Sequence, residues 1–204
     1  MDFEDYRDLF EEWEFTLSRE DLRAAMTERL ATMKAGEVGR AELLGRLTES
    51  LMANDAHPDD LDRAAALARD AIADGGPSTF DPRTDLLRVL FRQGKDEEAM
   101  ALAKECLRAT TPDHVEAGLH TTLGEIMELR GDYKFAHRVY TVGLKYFDPS
   151  IDEPDFDEDA CLSGRYRARR RLELGRDSLD VAFEADNPDA AQAIKDRLAA
   201  GEQA

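Results

Sequence analysis

Residues 117–150 read AGLHTTLGEIMELRGDYKFAHRVYTVGLKYFDPS, and the spacing of small and large residues in this stretch decides the fold. Leu123-Gly124 lies in a first apolar run, Gly131-Asp132-Tyr133 interrupts the pattern, and Ala136, Tyr140 and Gly143-Leu144 follow before Pro149. The pattern fits two antiparallel helices joined by a tight turn. Gly124 and Ala136 are small where the helices would cross, Gly131 supplies the turn, and Leu123, Tyr140 and Leu144 fill the interior.

Thirty-seven residues upstream the chain reads FDPRTDLLRVLFRQGKDEEAMALAKECLRATTPD, which places Leu86, Gly94, Ala99, Ala103, Cys106, Leu107 and Pro112 in corresponding positions. This second copy carries Leu87 at the small position of its first helix and Asp96 where the other has an aromatic. A weaker third copy opens with Leu44-Gly45 and closes with Ala64, Ala68 and Ala71-Ile72, with an inserted turn over residues 54–60. The copies cover residues 38–75, 80–112 and 117–149, and a period of this length is the mark of stacked helical repeats. The spacing resembles that of tetratricopeptide repeats. The fold expected is therefore all-α, with antiparallel helix pairs stacked as a short α-solenoid that the resemblance makes right-handed, and with capping helices at both ends.

The resemblance also implies a mode of action, because in tetratricopeptide proteins the first helix of each repeat lines a concave groove that takes a partner's peptide or helix. Carried over, the groove positions are Glu42, Arg46 and Glu49 in the degenerate copy, Thr84, Arg88, Phe91 and Arg92 in the second, and Thr121, Glu125 and Glu128 in the last. Arg88 and Arg92 beside Phe91 offer two cations and an apolar anchor, a seat for an extended acidic-aromatic segment. The lysine and asparagine pattern of the two-carboxylate clamp in chaperone-binding members is missing, so chaperone C-termini are not implied.

The flanks, residues 1–37 and 150–204, read as further helices. Phe3, Tyr6, Phe10, Trp13 and Leu17 recur at helical spacing among acidic residues. This aromatic stripe either caps the first repeat or forms a docking helix, through Phe3, Tyr6, Phe10 and Trp13, for a partner or a second protomer, and as a docking helix it would occupy the groove until displaced. Ser18 with Asp21 caps a second helix that carries Leu22, Met26, Leu30 and Met33 and ends at Ala35-Gly36. Downstream, an acidic loop over 148–159 precedes a helix expected from Asp157 to Leu174, with Cys161, Ala168 and Leu172 as its buried stripe. A last helix is expected from Asn187-Pro188, with Ala191, Ile194 and Leu198 on one side. Repeats followed by an arginine-rich helix resemble the corresponding portion of bacterial proteins that end in a SEC-C zinc-binding motif, but the cysteine cluster of that tail is absent, so no zinc function carries over.

Residues 165–176 hold six arginines against Glu173, a net +5. Arginines at 165, 167, 169, 170 and 171 cannot share one helical face, so a collar is expected. Either the preceding acidic loop neutralises it, or Arg165, Arg169 and Arg170 form an anion site for an acidic or phosphorylated partner.

Composition narrows the function. The 204 residues suffice for a core without staples, and a 42% hydrophobic fraction rich in alanine, 29 residues, with only 7% aromatics, favours close-packed helices. A net charge of −18 opposes binding to nucleic acid. No apolar run reaches membrane-spanning length, and the acidic start, Asp2-Phe3-Glu4-Asp5, is unlike a secretory signal, so a cytoplasmic location is expected. Cys106 and Cys161 lack CxxC partners, and His57, His114, His120 and His137 lack ligand spacing, although His120 and His137 could approach across one helix pair. Asp155, Asp157 and Asp159 begin like a calcium loop that Ala160 and Tyr166 then break. No phosphate loop, nucleophile elbow or HExxH helix appears, so no cofactor, metal or catalytic residue is expected. The function expected is a non-enzymatic adaptor that binds another protein or peptide, with a homodimer through the N-terminal helix as a further expectation. The competing class is a regulatory helical protein that senses a small acidic ligand through the groove or the arginine cluster.

Overall fold

The computed structural model describes residues 2–52, 56–108 and 117–201; Pro112, His114 and the first two residues of the 54–60 turn lie outside them. Among the described residues all regular structure is helical, in eleven helices. None of these is long and apolar enough to cross a membrane. The chain divides into two compact units, Met1–Cys106 and Leu107–Ala204.

The first unit contains α1 (Phe3–Thr16), α2 (Arg19–Thr32), α3 (Arg40–Leu51), α4 (Pro58–Asp74), α5 (Pro82–Arg92) and most of α6 (Asp96–Arg108). Helix starts follow the caps written in the sequence: Asp2 and Asp5 form a capping box, Ser18 accepts from the Asp21 N–H, and prolines stand in the first turns of α4 and α5. α4 buries Leu61, Ala64, Ala65, Ala68 and Ala71, one stripe at helical spacing whose small side chains let α3 and α5 approach it closely. α5 packs on both α3 and α4, so the first helix of one pair rests on both helices of the preceding pair.

The aromatic stripe of α1 caps this unit. Tyr6 and Phe10 are 3% and 1% exposed in a cluster with Met26, Met33, Leu43 and Leu47, and Trp13, Leu22 and Leu30 pack against it. Burying Tyr6 and Phe10 is worth about 1.5–3 kcal/mol apiece, and Gly39, at φ +83, leaves room for the ring: a Cβ there would stand 2.5 Å from Tyr6 Cγ. The docking-helix expectation is thereby corrected for Tyr6, Phe10 and Trp13. Their rings are spent within the chain, while Phe3 is half-buried and the acidic residues and Phe15 face outward.

The second unit contains α7 (Ala117–Leu129), α8 (Tyr133–Gly143), α9 (Phe156–Arg171), α10 (Ser178–Asp186) and α11 (Pro188–Ala199). α9 packs on both α7 and α8, as α5 does on α3 and α4, so it holds the place of the first helix of a further pair, and α10 and α11 pack on it. It ends before Leu174 because Glu173 turns left-handed at φ 54 and the Leu174 N–H closes back onto Arg169 O. α10 is absent from the sequence reading. It is nine residues long, and its Asp177/Asp180 capping box is the main local signal for it.

Candidate functional site

The groove positions of the first unit separate into a covered set and an open set. Glu42 is 4% exposed, its carboxylate accepting from the Thr79 N–H at 2.6 Å and from Arg46 Nε at 2.7 Å. Thr84 is buried, its hydroxyl donating to Asp81 O at 2.7 Å. Arg46 is covered by α1: Nη1 donates to Glu14 Oε1 at 2.6 Å and the guanidinium sits 5.6 Å from the Phe10 ring centroid. These three are corrected from groove to structure, because the capping helix and the 75–81 connection lie over them.

Glu49, Arg88 and Arg92 are exposed and Phe91 is half-buried. Arg88 Nη1 donates to Glu49 Oε1 at 3.1 Å, bridging α5 to α3, and Arg92 donates to Met52 O. Exposed ion pairs of this kind contribute only about 0–1 kcal/mol, so a competing carboxylate can take the place of Glu49 at little cost.

Asp85 lies under this bridge, 5% exposed, with Arg88 Nη1 at 3.5 Å. Burial, reinforced by the neighbouring Glu49 and only partly offset by Arg88, pushes its carboxyl up to about 7. In the unfolded chain the same carboxyl titrates near about 4. Between those values the native state holds a proton that the unfolded state has released, so Asp85 withdraws stability as pH rises through that window. Asp85→Asn should therefore be more stable than the parent at about pH 8, by about 2 kcal/mol, and the difference should vanish near about pH 4. Thermal melts at the two pH values test this. A variant equally destabilised at both would mean that Asp85 is ionised and held by Arg88.

In the second unit Glu125 is exposed, but Thr121 and Glu128 are half-buried and engaged by neighbouring helices. Thr121 Oγ1 stands 3.1 Å from Cys161 Sγ and donates to Asp157 O at 3.2 Å. Glu128 Oε2 accepts from Tyr140 Oη at 3.0 Å and from Arg167 Nη2 at 2.8 Å. These two positions are likewise corrected: α9 packs on α7 and covers them.

The arginine cluster is also internal. Arg165 and Arg169 are 5% and 9% exposed. Arg165 is ion-paired with Asp177, and the Asp180 carboxylate is reached by Arg165 Nη1 at 3.4 Å, Arg169 Nε at 2.9 Å and Arg170 Nη2 at 3.3 Å. Burial acts to raise the Asp177 carboxyl, yet hydrogen bonds from Arg165 and the Asp180 N–H, with the charges of Arg165 and Arg169, bring it down to about 2. Arg165, Arg169 and Arg170 thus line an internal ion-pair network, and the anion-site expectation for them is corrected. Their carboxylate partners come from α10 and its N-cap, which follow α9, and not from the acidic loop before it. Asp177, Asp180 and Glu184, which accepts from Tyr166 Oη at 2.6 Å, are the residues that sequence reasoning missed.

Burial pushes the thiols of Cys106 and Cys161 up to about 11 and about 12, so neither is a thiolate near neutral pH. His120 is buried and His137 half-buried. Among the described residues no group of three or more His, Cys, Asp or Glu side chains is placed to hold a metal ion. No protein-family model matches the chain, and no curated protein matches it either.

Proposed function

We propose that the chain is a non-enzymatic, cytoplasmic binding module of tetratricopeptide type that takes an acidic peptide on the exposed face of α5. The observation that carries this reading is the pair Arg88 and Arg92, exposed one helical turn apart beside Phe91, in a chain of net charge −18. Arg88 is held by a single exposed carboxylate, Glu49, and by the deeper Asp85, whose own charge is weakened by burial. An acidic segment laid along α5 would exchange with Glu49, meet Arg92 with a second carboxylate, and rest an aromatic side chain near Phe91.

Fluorescence anisotropy with labelled Asp/Glu-rich peptides that contain one phenylalanine tests the reading. Arg88→Glu with Arg92→Glu should weaken binding by about a hundredfold, roughly two tenfold steps. Both side chains are exposed, so the circular dichroism spectrum should not change. Equal affinity in the parent and the charge-reversed chain would place the site elsewhere.

A further inference from the structure

The C-terminal end of α3 is ringed by cations from two other helices of the same unit. From α2, Arg19 Nη2 donates to Ser50 O at 3.0 Å, and Arg23 donates to the same oxygen and, through Nε, to Ser50 Oγ at 3.3 Å. From α5, Arg92 donates to Met52 O and Arg88 to Glu49 Oε1. Four guanidinium groups therefore lie around residues 49–52, and the carboxylates of Glu49 and Asp85 both face Arg88.

Cations near a helix C-terminus are favourable because they answer its exposed carbonyls. One guanidinium would serve Ser50 O. Here two converge on it, and among the described residues neither Arg19 nor Arg23 has a carboxylate partner, although Glu20 and Asp21 are their sequence neighbours. A neutral oxygen relieves little of the repulsion between two charges held so close. Most of the five N–H donors on each guanidinium also remain unused by the contacts to Ser50.

We propose that this end of α3 is an anion subsite for the phosphoryl group of a phosphorylated acidic peptide, with Arg19 and Arg23 as its principal donors. The proposal rests on the reading that α5 carries the peptide, and extends it to the side of α3 that faces α2. A phosphoryl group brings up to two negative charges and three acceptor oxygens, which match two adjacent guanidinium forks, whereas a carboxylate is satisfied by one. Nucleic acid carries the same phosphate chemistry but meets the repulsion of a −18 chain over its whole length.

The test uses the full chain and three probes: a short Asp/Glu-rich peptide with one phenylalanine and one serine, the same peptide with phosphoserine, and inorganic pyrophosphate. Phosphorylation should tighten binding to the parent by about tenfold or more. In Arg19→Gln with Arg23→Gln that gain should be lost while the unphosphorylated peptide binds as before, and pyrophosphate should bind the parent and not this variant. Equal affinity of the two peptides for the parent, or a phosphate gain that survives the double substitution, overturns the proposal. If neither peptide binds, pyrophosphate separates the two readings. Binding that is lost with Arg19 and Arg23 supports the subsite and rejects the face on α5, and absence of pyrophosphate binding rejects the subsite. Because both arginines also close the end of α3, Arg19→Lys with Arg23→Lys serves where the glutamine pair fails to fold. Charge is kept there but the fork is gone, so the phosphate gain should fall, and an undiminished gain counts against the subsite.

Discussion

Asp180→Ala should cost about 3–5 kcal/mol, the scale expected when one partner of a buried ion pair is removed and the other is left. The side chain of Asp180 is 0% exposed, and guanidinium nitrogens from three arginines lie 2.9 to 3.4 Å from its oxygens. Without it Arg165 and Arg169 keep, among the described residues, only Asp177 as a carboxylate partner, and Asp177 is the N-cap of α10, whose capping box alanine would also open. Asp180→Asn should cost less, because an amide oxygen still accepts hydrogen bonds, although the charge is gone. Urea unfolding followed by circular dichroism checks the order. A buried network is little screened, so the deficit of the alanine variant should persist at about 1 M salt. A deficit below about 1 kcal/mol that disappears in salt is the behaviour of a surface pair and would contradict the burial described. Asp177 adds a pH signature. Its carboxyl is held at about 2, below the unfolded value, so its stabilisation is present above the ordinary carboxylate range and is lost as pH falls from about 4 towards about 2.

The helix pairs were legible in the sequence because a repeat states the same packing problem more than once. Gly131 and Asp132 mark the turn and cap between α7 and α8, and the alanines of α4 mark the face that α3 and α5 approach. The site was less legible, because the residues that cover it come from distant segments. Glu42 looks like a groove carboxylate until Thr79, thirty-seven residues on, donates both its N–H and its hydroxyl to it. The arginine-rich segment misled for a related reason. Its local neighbours are the acids of residues 148–159, and proximity in sequence favoured them as partners. The actual partners sit on a nine-residue helix with little hydropathy signal, where a capping aspartate, Asp180, doubles as the acceptor for three arginines. Arg19 and Arg23 carried no signal at all until α2 and α3 were seen side by side, because nothing in a sequence indicates that two helical arginines will converge on one carbonyl of the next helix.

Gly164→Ala should destabilise the second unit by about 3 kcal/mol, at the upper end of what overpacking usually costs. Tyr140 is fully buried, and its ring is wedged between two glycines: a Cβ at Gly164 would lie within 2.7 Å of three ring atoms, and a Cβ at Gly124 within 2.8 Å of three. Glycine lowers helix stability by about 1 kcal/mol relative to alanine, so on propensity alone either substitution should help. The steric term is larger, because the ring cannot retreat from one helix without meeting the other, and its hydroxyl is tied to Glu128, which Arg167 also holds. The repeat itself suggests the rescue. Thirty-seven residues upstream the corresponding buried positions are Leu87 and Ala103, large on the first helix and small on the second, where α7 and α8 have Gly124 and Tyr140. The two copies fill the same space in opposite ways. Gly124→Ala alone should lower the melting temperature by roughly 5–10 °C, using about 2–4 °C per kcal/mol for a chain of this size. Gly124→Ala with Tyr140→Leu should regain part of the loss, since the shorter side chain leaves room for the added methyl and Glu128 keeps Arg167. Additive losses in the double variant would show that the ring and the glycine do not share one space.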